Sequence, residues 1–401
     1  MSERQTLHWT EDGTERSARW RSENGARPPA RVAVADDRTR AADAYKLMCE
    51  GTALLYRGDH RNARQLLAAL TRRVDGKPRT AGGGSRTADA GRGGPERPDA
   101  PESPEERAAR FHRHRARQAQ RARVLGMLLV PLDGAHAVPL RRAPSVADAC
   151  AAAYGPPDGT PSVLPLRELL GVIGAYEWQR KGVPVPALDG DHVHPTYGVF
   201  SPVRGEYVDL VAHAPLPGGA VPLAYDVGTG TGVLAAVLAR RGTGRVVATD
   251  TDPRALACAR ANAERLGVAD RVEVREADLF PAGRAPLVVC NPPWVPAKPT
   301  SAVEHAVYDP GSRMLRGFLA GLADHLTPGG EGWLVLSDLA EHLGLRTRAE
   351  LDGWIGSAGL RVVGRADTAP RHPRASDTDD PLHTARAAET TSLWRLAAAG
   401  A

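Results

Sequence analysis

Two stretches of this chain hold residues whose types and spacing could do chemistry. In the first, "LAYDVGTGTGVLAAVLARRG", residues 223–242, a run with strand character leads through Asp226-x-Gly228-x-Gly230-x-Gly232 into an apolar helical pattern. Glycines without a Cβ let the backbone approach a ligand closely, and open parallel sheets bind ligands at the carboxyl ends of their strands. The next strand pattern, "RVVATD", ends in Asp250, 22 residues after Gly228, and closes a βαβ unit. In the second stretch, "VVCNPPWVP", a buried-looking strand runs into Asn291, Pro292, Pro293 and Trp294. Two prolines in a row supply no backbone donor and stop a strand abruptly. A nucleotide-type ligand is expected on the glycine turn.

The kind of ligand follows from what stands beside the glycines. A dinucleotide fingerprint needs a third glycine where this chain has Val233, which speaks against a nicotinamide oxidoreductase. The acidic run Asp226 to Gly232 instead resembles the S-adenosylmethionine loop of class I methyltransferases. That resemblance implies that Asp226, Gly228, Thr229, Gly230 and Gly232 hold the cofactor, a carboxylate suiting its ammonium and sulfonium where a pyrophosphate would want donors alone. It further implies that Asp250 accepts both ribose hydroxyls, and that Asp278 and the Leu279 amide of "EADLF" hold the adenine edge. "NPPW" resembles the Asn-Pro-Pro-aromatic signature of methyltransferases acting on planar nitrogen. The Asn291 side-chain oxygen and the Pro292 carbonyl would then accept the two N–H bonds of an NH2 group. Pro293 would stiffen the turn, and Trp294 would offer a face for the planar group. A Gly-rich turn without a ligand, or a proline stop after a buried strand, explains fewer of these residues.

The resemblance covers about residues 190–401 and is closest to the small-domain group that includes release-factor glutamine methyltransferases and ribosomal-RNA guanine methyltransferases. It implies an α/β fold, a Rossmann-like class I methyltransferase domain with a seven-stranded, mostly parallel sheet. "LRVVGRAD" and "TTSLWRLA" would be its antiparallel closing pair. "YGVFSPVRGEY" precedes the loop and places Phe200 and Arg204 as further candidates for the cofactor.

The rest of the chain must position this segment. Residues 1–75 are expected to form an α-rich N-terminal region with one helical hairpin over 41–74, broken at Gly58 and capped again at Asp59. Residues 76–102 carry almost nothing apolar and are expected to be a flexible linker. Ser103, Pro104 and Glu106 announce a helix with a capping box. That helix opens an α+β recognition or cap region over 103–190, in which Asp133-Gly134 suggests a hairpin and 145–153 and 165–180 read as helices. The methyltransferase domain is placed at 191–401.

Composition bounds the partners. The 401 residues carry a formal net charge of +5, but 1–150 hold 28 Lys+Arg against 19 Asp+Glu and 151–401 hold 24 against 28. The basic front half, with seven arginines from Arg107 to Arg123, suits contact with a nucleic acid or ribosome or, more plainly, a solvated surface. Cys49, Cys150, Cys258 and Cys290 are scattered, and His112 and His114 point apart, so no metal site is expected. His372, Asp377 and His383 read as a solvated loop. No membrane span or signal peptide is seen, and a cytoplasmic location is expected. A macromolecular methyl acceptor is expected, a protein glutamine amide ahead of a nucleic-acid base amine and a small metabolite. A non-catalytic interaction protein is the alternative of another class.

Overall fold

The computed structural model describes residues 5–23, 25–76, 102–202, 205–219, 221–300, 303–371, 377–378 and 380–400. The chain divides into two compact units, Met1–Ile173 and Gly174–Ala401. Nearly all of the expected linker, 77–101, lies outside the described residues, as do Arg204 and His372.

The first unit contains β1 (Thr6–Glu11), β2 (Thr14–Trp20), β3 (Arg31–Ala35), α1 (Ala41–Cys49), β4 (Thr52–Tyr56), α2 (His60–Val74), α3 (Pro104–Leu125), β5 (Leu128–Leu132), α4 (Ala147–Tyr154) and β6 (Ser162–Pro165), and α5 (Leu166–Lys181) runs across the division. Its six strands lie in the order β1-β2-β6-β5-β4-β3, with β3, β4 and β5 parallel. This corrects the expectation of a helical region over 1–75. Helix α1 stops at Cys49, where Gly51, at φ 86°, donates its amide to Met48 O at 3.1 Å. "TALLY" then forms a strand between two parallel neighbours, and such a strand, buried on both faces, is as apolar as a helix stripe. Gly58 serves close approach rather than a helix stop, since a Cβ there would lie 2.3 Å from Asp37 Oδ1. The expected cap at Asp59 forms, its carboxylate accepting from the Arg61 amide at 2.9 Å. So does the capping box of Ser103 and Glu106. The expected hairpin at Asp133-Gly134 does not form. Asp133 Oδ1 accepts from the amides of Ala135 and Ala137, which turns the chain away, and β5 pairs antiparallel with β6 instead.

The second unit contains β7 (Val183–Pro184), β8 (His192–Val193), α6 (Glu206–His213), β9 (Leu223–Val227), α7 (Val233–Arg240), β10 (Arg245–Asp250), α8 (Pro253–Arg265), β11 (Val272–Glu276), β12 (Ala285–Cys290), α9 (Arg313–His325), β13 (Leu326–Ser337), α10 (Leu339–His342), α11 (Arg348–Ser357), β14 (Leu360–Thr368), α12 (His383–Ala387) and β15 (Thr391–Ala398). Its seven-stranded sheet has the order β11-β10-β9-β12-β13-β15-β14. Strands β9 to β13 run parallel, and β15 lies antiparallel between β13 and β14. This is the mostly parallel sheet with an antiparallel closing pair that the sequence implied. Alternate residues of each strand point to opposite faces. Ala224, Val246, Leu287, Val289 and Trp333 enter one core cluster with α6 and α7, while Tyr225, Val247, Val288, Cys290 and Leu334 enter another with α9 and α11. Covered on both faces, β9, β10 and β12 can present chemistry only at their ends.

Candidate active site at the carboxyl ends of the central strands

Strand β9 delivers Asp226 and the glycine turn between its neighbours β10 and β12. Gly228 has φ 72°, and a Cβ there would come within 2.4 Å of Met314 Cε; Gly232, at φ 81°, packs against the Ala259 backbone. Other residues adopt this left-handed backbone at a cost. The turn is stitched to the end of β10. The amides of Gly228 and Thr229 both donate to Thr249 O, at 2.9 and 2.8 Å, and the Gly230 amide donates to Asp250 Oδ2 at 3.0 Å.

Asp250 is half-buried at the end of β10. Its Oδ1 accepts from the Asp252 amide at 3.0 Å, and Asp252 in turn caps α8 through the Arg254 amide. Both carboxylate oxygens are thereby oriented by backbone, and each keeps acceptor capacity. Asp226 is placed differently. It is 1% exposed, and its Oδ2 accepts from Thr229 Oγ1 at 2.6 Å and from the Ala235 amide at 3.1 Å. Burial pushes its carboxyl up to about 6, against the two hydrogen bonds and with the help of the Asp250 charge. Asp226 therefore ties the turn to α7.

Asp278 is exposed beyond β11, and Leu279 follows with φ 70°. A left-handed leucine is an outlier of the kind that collects at ligand-binding turns. It is held by Thr249 Oγ1, which donates to Leu279 O at 2.6 Å. Cys290, the last residue of β12, pairs with Val227, so Asn291 leaves the sheet beside Gly228. Asn291, Pro293 and Trp294 are half-buried and Pro292 is buried. The indole Nε1 of Trp294 donates to Asn291 Oδ1 at 2.8 Å. The chain is then clamped, because the Val295 amide donates to Val307 O and Val295 O accepts from the Asp309 amide. Residues 226–232, 250, 278–279 and 291–294 thus gather at one end of β9, β10, β11 and β12.

Residues 210–348 match the family model described as the methyltransferase small domain. The matched segment is 139 of the 401 residues, 210 to 348 inclusive. Every residue gathered above lies within it. The chain is 57% identical over 77 residues, 19% of this chain and 24% of the relative, to a ribosomal protein L11 methyltransferase of Pelotomaculum thermopropionicum. It is 36% identical over 152 residues, 34% of this chain and 52% of the relative, to a release factor glutamine methyltransferase of Cereibacter sphaeroides. The chain spans about half or less of the length of these two relatives. Among solved structures, a ribosomal protein L11 methylase of Lactobacillus delbrueckii subsp. bulgaricus shares 16% identity over 52% of this chain and 86% of that one, with a TM-score of 0.36.

Several residues that shape the candidate site carry no motif. Thr249, fully buried, receives the glycine turn on its carbonyl and holds Leu279 with its hydroxyl. Asn262 of α8 is 1% exposed; its Nδ2 donates to Thr231 O at 3.0 Å and its Oδ1 accepts from the His194 amide at 2.9 Å. A lone Asn on the apolar face of a predicted helix is the signal that could have found it. On α9, Gly317 and Gly321 make room for the Leu279–Phe280 turn, since a Cβ at either would come within 2.8 or 2.7 Å of those side chains. Phe200 is half-buried beside Val199, which packs on Ala255 and Cys258. His383 opens α12, and its amide donates to Asp380 O. Among the described residues no His, Cys, Asp or Glu group is arranged to hold a metal, and no helix is long and apolar enough to cross a membrane.

Proposed function

We propose that the chain is an S-adenosylmethionine-dependent N-methyltransferase acting on a planar NH2 group of a macromolecule. The observation that carries this reading is the fusion of turn and carboxylate. Gly230 and Asp250 are joined by a hydrogen bond at the ends of adjacent strands, and Asn291 stands at the end of the strand on the other side of β9. The residues present fit the cofactor. An added Cβ at Gly230 would meet nothing within 4 Å, so open space faces the turn, and a half-buried carboxylate borders it. Asp250 would hold the ribose hydroxyls, Gly228, Thr229, Gly230 and Gly232 the methionine part, and Asp278 with the Leu279 amide the adenine. Asp226 would act through the turn it fastens. The bound cofactor would supply an already activated methyl group.

The chain's own residues then have to position a poor nucleophile. An amide or aromatic amine has a delocalised lone pair. Asn291 Oδ1 and the Pro292 carbonyl accept its two N–H bonds and stabilise the positive charge that grows on nitrogen, and Trp294 covers one side of the planar group. The prolines keep the two acceptors from swinging. A protein glutamine amide is favoured as acceptor, because release factor glutamine methyltransferases are among the relatives and, among the described residues, no aromatic platform interleaved with Lys or Arg borders the motif. A nucleic-acid base amine is the second reading, supported by the basic front half.

Calorimetry with S-adenosylmethionine and with NAD tests the cofactor; tighter binding of NAD, or of neither, overturns it. Transfer of labelled methyl groups into a cell lysate, divided into RNase-treated and protease-treated portions, tests the acceptor. Label that survives RNase and is lost with protease supports the glutamine reading, and the opposite pattern supports the base amine.

A further inference from the structure

Asn291 has an unusual neighbour. The Trp294 indole donates to its Oδ1 at 2.8 Å, while the ring packs against both core clusters of the second unit. The ring is therefore anchored at two places and cannot follow a moving side chain. The Asn291 amide, by contrast, can rotate about its last bond and present oxygen or nitrogen in nearly the same place. An indole N–H is a donor only, so it is satisfied by the amide oxygen and by nothing on the nitrogen side. The contact selects one of the two orientations. It also uses one of the two lone pairs on Oδ1 and leaves the other.

We infer that Trp294 is a positioning residue that holds Asn291 in the orientation in which Oδ1, through its remaining lone pair, accepts a single N–H of the methyl acceptor. The inference rests on the reading of Asn291 as that acceptor and adds what keeps it in place. The wrong orientation would set the Asn291 NH2 against the NH2 of the substrate, donor against donor. A phenylalanine at 294 keeps a flat apolar face but has no donor, so the positioning role separates from stacking by a single substitution.

The full-length wild type, Trp294→Phe, Asn291→Ala and the double variant form the test. The chain has seven tryptophans. In 15N-labelled protein the indole signal absent from Trp294→Phe is that of Trp294, and it should shift in Asn291→Ala and exchange faster with solvent. In methyl transfer from labelled S-adenosylmethionine into the protein fraction of an RNase-treated lysate, Trp294→Phe should lose about tenfold in turnover, the worth of one ordinary hydrogen bond, with cofactor affinity unchanged. In the Asn291→Ala background the same substitution should cost nothing further. Losses that simply add, or an indole signal indifferent to Asn291, overturn the positioning role and leave the acceptor reading standing. An Asn291→Ala protein that transfers at the wild-type rate removes the acceptor reading and this inference together. If Trp294→Phe fails to fold, the test is whether one of the seven indole signals moves in Asn291→Ala yet stays near its wild-type position in Asn291→Asp, which keeps an acceptor; the absence of such a signal overturns the positioning role.

Discussion

Replacing Asp226 by Asn should stabilise the protein at neutral pH. The carboxyl is 1% exposed, and burial raises it from 3.8 to about 6. At 1.36 kcal/mol per pH unit, that shift corresponds to about 3 kcal/mol of stability forgone once the group is ionised. The sign follows from proton binding. Between the unfolded and folded values the folded state holds the proton more tightly, so stability falls as pH rises from about 4 to about 6 and stays low above. Asparagine keeps an oxygen for the Thr229 hydroxyl and the Ala235 amide without the charge. Urea melts at pH 5 and pH 7.5 should therefore show Asp226→Asn ahead of the wild type at both, with the gap wider by about 1.5 kcal/mol at the higher pH. Hydrogen exchange of the Ala235 amide reports the same difference locally. A gap that does not change with pH, or a variant less stable at pH 7.5, would refute the argument that burial dominates at this carboxylate.

Three further substitutions probe the same end of the sheet. Asp250→Ala should weaken S-adenosylmethionine binding by about 1.5–3 kcal/mol, the scale of hydrogen bonds to charged groups, measured by calorimetry. Thr249→Val keeps the shape but removes the donor to Leu279 O, and should lower stability by about 1–3 kcal/mol in urea melts while loosening the 278–280 turn. Gly321→Val pushes against Phe280, already 2.7 Å from an added Cβ, and should cost roughly 1–3 kcal/mol in the same melts.

The sheet of the second unit was legible because its central strands β9, β10 and β12 are short apolar runs punctuated by turn residues, and because several candidate-site residues stand at or just past the end of one of them. Asp250, Asn291 and the glycines all stand where a pattern breaks. The first unit was misread for a related reason. "TALLY" is apolar throughout and follows a helix, so periodicity alone could not tell a doubly buried strand from a continuing helix, and only the left-handed Gly51 marks the change. The hairpin at Asp133 failed on side-chain chemistry, since one aspartate oxygen can bend the chain by taking two amides. Thr249 was invisible because its partners are backbone atoms far away in sequence, and Asn262 offered only its polarity on an apolar helix face, with nothing to say what it would hold. Asp226 was read as part of the cofactor loop; it lies in β9, and its direction depends on the hydroxyl of Thr229, three residues on, which no spacing rule announces.

The placement of β15 bears on the order in which the second unit can be completed. It follows β13 and β14 along the chain, yet it lies between them in the sheet, hydrogen-bonded to β13 on one side and to β14 on the other. During synthesis β13 and β14 emerge first and have no direct contact as ladder partners. Until residues 391–398 have left the ribosome, both strands keep an open edge, and the apolar positions Leu393, Trp394 and Leu396 are missing from the two core clusters. The parallel strands that carry the candidate site are all made long before that moment. A nascent chain can therefore present the glycine turn and Asn291 while its sheet is still two strands short of closure, and the interval between the two events is one of exposure to aggregation.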